Sequence, residues 1–444
     1  MKTKKSKKLI TVWIVAAVVA VAAIVVGGYF LLSNSKAKAS PETEGAQEYD
    51  ARIAEELSTL VLAYCEGNEL RPTSGEYSVT DISGNVKTFS VAPAKNEQIT
   101  INDFSDDIKF LRAPKSVDIK IMFDGKEVFE GTLDEYRKSF TPRADGVYSF
   151  IMTAETENAA YIGKATYNFD IKYEIIPRFS LSSETINQGG VMVVYGENLR
   201  DEDISITLPF GFIPTVERNG TKMFAVIPFN FYREAGEYTL TIKYGEEEIP
   251  LKYTVAAVQY DEQQLTVSEE TTSSTIDNSA ALAEYNKLIQ KTNEMYDSTV
   301  YWDERFVQPC AGTITTEFGS TRYINGSTKP SSIHSGIDIA CDEGTPVTAS
   351  NKGKVIYAGE LQVSGKTVII EHGNGLHTMY LHMSALSCKE GDIVEKGQQI
   401  GLVGMTGFAT GPHLHFEISI SGYSLSPWYF FDGTSDIYKI QSYK

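Results

Sequence analysis

Gly411-Pro412-His413-Leu414-His415-Phe416-Glu417-Ile418 is the stretch on which the reading of this chain turns. Its pattern has period two. In an extended strand His413, His415 and Glu417 point to one side, while Leu414, Phe416 and Ile418 point to a core. Two imidazoles at i and i+2 then stand side by side on a polar face. Taken alone, the pair fits a surface strand with two incidental His as well as it fits a metal site.

Working outward, all six His of the 444 residues fall between His334 and His415. His334-Ser335-Gly336-Ile337-Asp338 sets a His and a carboxylate four residues apart. The two converge on one ion if the backbone turns at Gly336. Lys366 to Met383 reads as a hairpin with its turn at Gly373-Asn374-Gly375. On its return strand Tyr380 and His382 share a face. His372 flanks the turn and His377 faces away from His382; both read as solvent-exposed or hydrogen-bonding His without a ligand role.

Two His and one carboxylate suit Zn²⁺, which takes N and O ligands and, in catalytic sites, keeps one position for water. Zinc makes such water acidic enough to supply a nucleophile near neutral pH. The remaining His are then available to move protons to and from a leaving amine. This is the chemistry of amide hydrolysis. No Ser-nucleophile motif, His-Glu-x-x-His helix or phosphate loop competes with it.

Charge and composition bound the rest. There are 58 acids against 40 bases, a formal charge of −18. Residues 1–40 hold seven Lys and no acid, leaving 33 bases against all 58 acids beyond them. So acidic a body excludes nucleic acid as a partner. Four Cys without a Cys-x-x-Cys pair exclude a zinc-finger scaffold and a disulfide-dense miniature fold. Leu9 to Leu32 is uncharged and follows five Lys. As a helix it would be about 36 Å long, enough to span a bilayer with the N-terminus in the cytoplasm. The alternative is a cleaved signal peptide, with Ala37-Lys38-Ala39 as the cleavage site. Either way the body works outside the cytoplasm.

Between these ends, Ile53, Leu57, Leu60, Val61 and Tyr64 recur at helical spacing over 47–66. Residues 71–256 then alternate as antiparallel strands do: Tyr148, Phe150 and Met152; Tyr167, Phe169, Ile171 and Tyr173; Tyr238, Leu240, Ile242 and Tyr244. Asp124-Gly125, Asp145-Gly146 and Asn219-Gly220 mark turns. Asp145-Gly146-Val147-Tyr148 echoes Ala235-Gly236-Glu237-Tyr238 at an offset of 90 residues, the size of one immunoglobulin-like sandwich with its Tyr corner. No His or Cys falls within 71–256, so these parts read as spacers or binding modules. Residues 257–279 read as a solvated acidic linker. A helix follows over 280–296, with Leu282, Tyr285, Leu288, Ile289 and Met295 as its stripe and Asp277 or Ser279 as its N-cap.

Residues 308–432 resemble the lysostaphin/LytM-type zinc endopeptidases of bacterial cell walls, a family of peptidoglycan DD-metalloendopeptidase-like proteins with a duplicated hybrid motif. The resemblance rests on Phe318-Gly319, His334-x-x-x-Asp338, Gly344-Thr345-Pro346-Val347, Tyr380-x-His382, Gly391-x-x-Val394-x-x-Gly397-Gln398-x-Ile400-Gly401 and Gly411-Pro412-His413-Leu414-His415-Phe416. It implies a small antiparallel β fold with an open groove and one Zn²⁺ per chain. It implies His334, Asp338 and His415 as metal ligands, His413 as general base, and His382 as its assistant in orienting water or stabilising an oxyanion. Arg322, Asn325 and Tyr380 are candidates for lining the substrate groove. Cys341-Asp342-Glu343-Gly344 recurs as Cys388-Lys389-Glu390-Gly391; if these are paired halves of the duplicated motif, Cys341 and Cys388 are candidates for a disulfide, with two buried thiols as the alternative.

The expectation is therefore a mainly β chain. A cytoplasmic basic tail (1–8), a transmembrane signal-anchor (9–32), and a stalk and helix (33–70) precede two immunoglobulin-like β-sandwiches (71–175 and 176–256). An acidic linker and helix (257–307), an antiparallel β zinc metallopeptidase domain (308–432) and a C-terminal tail (433–444) follow. The function expected is a membrane-anchored hydrolase of peptidoglycan stems or cross-bridges at the cell wall, with envelope proteins as partners of the sandwiches. The alternative is a non-hydrolytic envelope scaffold that uses the peptidase fold to bind.

Overall fold

The structure is a computed structural model that describes residues 57, 61–80, 84–104, 107–157 and 161–443. The basic tail, the membrane anchor and the stalk expected over residues 1–56 lie outside the described residues. Among the described residues no helix is long and apolar enough to cross a membrane. The chain divides into two compact units at Ile175/Ile176.

In the first unit the period-two pattern is realised directly. Gly146–Glu157 pairs along its length with Tyr161–Tyr173, and Tyr148, Phe150, Met152, Tyr167, Phe169, Ile171 and Tyr173 all face one core. These long strands recruit neighbours on both sides into a single seven-stranded sheet, covered by a sheet of three short strands. Two comparable sheets, as an immunoglobulin-like sandwich requires, are not formed here. The helix expected to run to residue 66 also gives way. Ala63–Cys65 is a strand between Asn68–Leu70 and Ile108–Phe110. Glu66 and Gly67, at φ 48° and 77°, make its two-residue turn, and Ala63, Cys65 and Leu70 enter the core. Thr132 and Glu135 form a capping box on a short helix, Leu133–Ser139, inside the stretch read as strands.

The second unit begins with a sandwich of two four-stranded sheets spanning Arg178–Ala256. Met192, Val194, Ala225, Ile227, Leu240 and Ile242 fill its interior. Its strand Val191–Glu197 is buried on both faces. The outward residues Val191, Val193 and Tyr195, with Phe224 and Val226, belong to the same core cluster as Trp302, Phe306, Ile437 and Ile440 of the next domain and its C-terminal segment. A near-continuous apolar run is what a doubly covered strand needs. Tyr148 and Tyr238, the two halves of the 90-residue echo, each donate a hydroxyl hydrogen bond to the carbonyl four residues upstream, Ala144 and Glu234, at 3.1 and 2.8 Å.

Two stretches read as loose are built into the fold. Glu262–Leu265, within the expected acidic linker, is a strand pairing in parallel with Thr321–Ile324. The C-terminal residues expected as a tail form a 3₁₀ helix, Asp436–Tyr443, whose Tyr443 ring stacks on Tyr195 at 4.4 Å. In both cases an open strand edge or apolar face elsewhere in the chain supplies the partner, which local composition does not show. The linker helix is Ser279–Asn293, capped by Asn278 rather than by either neighbour. Its Leu288 and Ile289 pack on Ile369, Met379 and Leu381.

The last domain is built on an eight-stranded antiparallel sheet, with a three-stranded sheet of Pro346–Thr348, Gln399–Leu402 and Ala385–Leu386 beside it in sequence. The central order of the larger sheet is Thr313–Thr316, Ile337–Ala340, His413–Ile420, Leu376–Met383, Gly365–Glu371 and Gly353–Leu361. Leu414, Phe416 and Ile418 are fully buried on one face, as the alternation requires. Register places Asp338 directly opposite His415 and Ala340 opposite His413.

Candidate metal centre

Strand pairing carries His415 and Asp338 to one place, and the loop before Ile337 brings His334. The Nε2 of His334 lies 3.0 Å from Asp338 Oδ1 and 2.9 Å from His415 Nδ1, and His415 Nδ1 lies 2.9 Å from Asp338 Oδ1. Gly336 permits this by close approach rather than by a turn. A Cβ there would lie 2.1 Å from the Phe416 carbonyl oxygen, so no other residue lets the two strands meet.

The hydrogen bonds at the far side of each ring orient the lone pairs. His334 Nδ1 is 2.9 Å from the Glu317 carbonyl and donates to it, which leaves Nε2 as a bare donor atom toward Asp338. His415 turns Nε2 toward the Glu417 carboxylate at 3.9 Å and Nδ1 into the triangle. Glu417 is held by hydroxyl hydrogen bonds from Ser335 and Ser424, at 2.7 and 2.8 Å. Glu317 in turn accepts the indole N–H of Trp428 at 2.7 Å.

The electrostatics ask for a cation. Burial pushes the His334 imidazole down to about 4, against the pull of Asp338. Burial also opposes charge on Asp338 and His415, but their mutual hydrogen bonds prevail: the Asp338 carboxyl sits well below its usual range, and His415, facing Asp338 and Glu417, is raised to about 9. His334, Asp338 and His415 are the metal-capable group of three His, Cys or acid residues among the described residues. Two imidazole nitrogens and one carboxylate oxygen, all buried and within about 3 Å of one another, fit Zn²⁺, whose bonds to N and O are roughly 2.0–2.2 Å and which would take the place of the proton on His415.

Two further imidazoles border this triangle. His413 Nε2 is 3.8 Å from Asp338 Oδ1, and the His382 and His413 rings are 4.9 Å apart. Each anchors its Nδ1–H on a backbone carbonyl: His413 on Gly411 and His382 on Thr406, both at 2.8 Å. Each therefore presents a bare Nε2. His382 occupies a left-handed backbone conformation, φ 65°, a strained position for a non-Gly residue. Burial first, then the neighbouring His413 and His415, push its imidazole down to about 3.

The groove candidates divide. Arg322 reaches the centre, its guanidinium paired with the second oxygen of Asp338 and 3.4 Å from Gln263 Oε1. Tyr380 does not line the groove. The register slips between Lys366 and Val368 against the return strand, and with the turn of backbone at His382 this bulge sends Tyr380 and His382 to opposite faces. Tyr380 is fully buried beside Phe416, its hydroxyl accepting the Ser350 N–H at 2.8 Å. Asn325 is also occupied elsewhere, bonding the N–H and carbonyl of Val267 at 2.8 and 3.0 Å. His372 and His377 take the hydrogen-bonding role and are buried, not exposed: His372 between Lys352 and Thr378, His377 against Glu371. Glu317, Gln263 and Thr406 were invisible as site residues because they act through backbone carbonyls or across long separations. Glu417 carried a signal, since it shares the face of His413 and His415.

The sequence profile that matches residues 332–427, the segment holding all five His and Asp side chains of this centre, is that of Peptidase family M23. Residues 332–427 are a Peptidase family M23 domain. It is 47% identical over 95 residues to the DD-carboxypeptidase/endopeptidase Mpg of Neisseria meningitidis, covering 21% of this chain and 22% of that protein. It is 44% identical over 101 residues to the peptidoglycan DD-endopeptidase ShyA of Vibrio cholerae, covering 23% and 24%. The chain thus spans about a quarter or less of the length of these two curated relatives. Among solved structures, the catalytic domain of lysostaphin from Staphylococcus simulans is 31% identical, with 27% of this chain and 92% of that one covered at a TM-score of 0.25.

Proposed function

We propose that this M23 protein is a membrane-anchored zinc endopeptidase that hydrolyses peptide bonds in peptidoglycan. The observation that carries the reading is the convergence of His334 Nε2, Asp338 Oδ1 and His415 Nδ1 with the bare Nε2 atoms of His413 and His382 beside them. A zinc ion held by the three donors would supply Lewis acidity, polarising the scissile carbonyl and making water easier to deprotonate. His413 Nε2 is oriented to accept the proton of the attacking water and to return it to the leaving amine. The Gly411 carbonyl holds that ring in the accepting tautomer. His382 Nε2 is likewise an acceptor, which suits it to orienting the water. Stabilising an oxyanion would need a proton on Nε2 as well, a charged form that burial of the ring opposes. Arg322 holds the second oxygen of Asp338, leaving Oδ1 for the ion.

The uncharged run Leu9–Leu32 after five Lys supports the anchor, with the acidic body on the outer side at the wall. The two β domains upstream would then space the centre from the bilayer or bind envelope partners. Incubating the full chain with purified peptidoglycan and zinc tests the proposal. New amino termini that a chelator suppresses and zinc restores are expected. Binding to the wall without release of amino termini in zinc would overturn it in favour of a scaffold.

A further inference from the structure

The reading above leaves the cysteines unused. The expected neighbour of Cys341 was Cys388, but Cys388 Sγ faces the Ile400 carbonyl at 3.8 Å. Cys341 Sγ lies 3.8 Å from Cys310 Sγ instead. The register explains it. Thr313 is paired with Ala340, so the chain entering one strand and the chain leaving the other run side by side at one end of the sheet. Gly312 permits the close passage, since a Cβ there would meet the Ala340 carbonyl oxygen at 2.5 Å. Cys310 is 7% exposed, whereas Cys341 is half-buried and open to a reagent.

We propose that Cys310 and Cys341 form a dithiol modification site that reacts with low-molecular-weight or protein disulfides and closes to a Cys310–Cys341 cross-link. The half-buried Cys341, the more accessible of the two, loses its proton and attacks one sulfur of the oxidant. The S–S bond of the oxidant breaks, one half departs as a thiolate that takes up a proton, and a mixed disulfide remains on Cys341. Cys310 then loses its proton, attacks Cys341 Sγ and expels the second half as a thiol. Two electrons pass from the protein to the oxidant, one disulfide replaces another, and the proton count is unchanged. Burial beside a second thiol pushes the Cys310 thiol up, which agrees with its acting second. The sulfurs, 3.8 Å apart, have to close to the ~2.05 Å bond length.

The position matters because the segment closed by the bond, 310–341, carries Glu317, Arg322, His334 and Asp338. Local opening of that segment would dismantle two of the three metal donors. The cross-link ties its ends and opposes the opening.

The test uses the purified full chain, equilibrated with oxidised glutathione, alkylated and mapped without reduction. A Cys310 peptide joined to a Cys341 peptide is expected, with Cys388 alkylated. The oxidised chain should also melt several degrees above its reduced form, a gain absent in C310S and C310A. Either variant should stall with glutathione on Cys341. Cys341 joined to Cys388, or both Cys310 and Cys341 alkylated at equilibrium, would overturn the proposal. None of these readings depends on hydrolytic activity.

Discussion

At the scale of single residues the proposed mechanism divides the centre into side chains that would hold an ion and side chains that would move a proton. Asp338 and His415 oppose each other across a strand pair, and both donors are buried. Asp338→Ala should abolish stoichiometric zinc and hydrolysis together. His413 is outside the donor triangle, so His413→Ala should keep zinc and lose roughly 10²–10⁴-fold in turnover, as removal of a general base does. Metal analysis beside kinetics checks both; stoichiometric zinc loss in the His413 variant would refute the division of roles. Glu417 faces the outer nitrogen of His415 and is itself held by two hydroxyls. Glu417→Ala should weaken zinc binding about 10–100-fold, measured by chelator competition, because partners of that kind fix ligand orientation and basicity. Of these residues the paired His, Asp338 and Glu417 were legible from spacing. Arg322 was legible only as a neighbour of the site, because its partner Asp338 is fixed by tertiary contact.

At the scale of elements, alternation reads faces well until the backbone breaks it. The strand His413–Ile420 and the long pair Gly146–Glu157 and Tyr161–Tyr173 keep their register throughout, and their faces follow from sequence alone. The return strand Leu376–Met383 does not, since the slip and the positive φ at His382 reverse the side of every residue beyond it. A bulge leaves no mark in hydropathy, so Tyr380 was assigned to the wrong face. Tyr380→Phe tests the corrected placement. It removes a buried hydroxyl that accepts the Ser350 N–H and should lower stability by about 1–3 kcal/mol in denaturant unfolding, with KM unchanged. A raised KM at unchanged stability would return Tyr380 to the groove. The hairpin's His372 gives a pH test away from the donor set. Burial holds its imidazole down at about 3, against an ordinary value of 6.5. Between these values the unfolded chain binds a proton that the native chain does not. Stability contributed by neutral His372 is therefore complete above roughly pH 6.5 and falls as pH drops toward 3, by on the order of 1 kcal/mol per pH unit. Thermal melts of the native chain and of His372→Gln across this range should show a shallower acid slope in the variant.

At the scale of the whole molecule, what sequence could not show is which apolar faces meet. Composition divided the second unit into a sandwich, a linker, a catalytic domain and a tail, and each piece carries the local pattern that division used. Yet Val191, Val193 and Tyr195 alternate with residues of the sandwich's own core while filling a second one, and only a strand covered on both sides explains that run. The 3₁₀ segment closes this second core. Ile437 and Ile440 are fully buried in it, Asp436 bonds the Ser182 hydroxyl, and Lys439 reaches the Ser182 carbonyl at 3.0 Å. The sandwich and the catalytic sheet are therefore expected to unfold as one cooperative body, because each exposes a large apolar face if the other leaves. Ile437→Ala with Ile440→Ala removes side chains from the shared core without touching the metal donors. Each substitution should cost about 2–5 kcal/mol, and the lowered transition should stay single when followed by fluorescence and by zinc release. Two separated transitions, with zinc retained through the first, would show that the sandwich folds independently of the centre it borders.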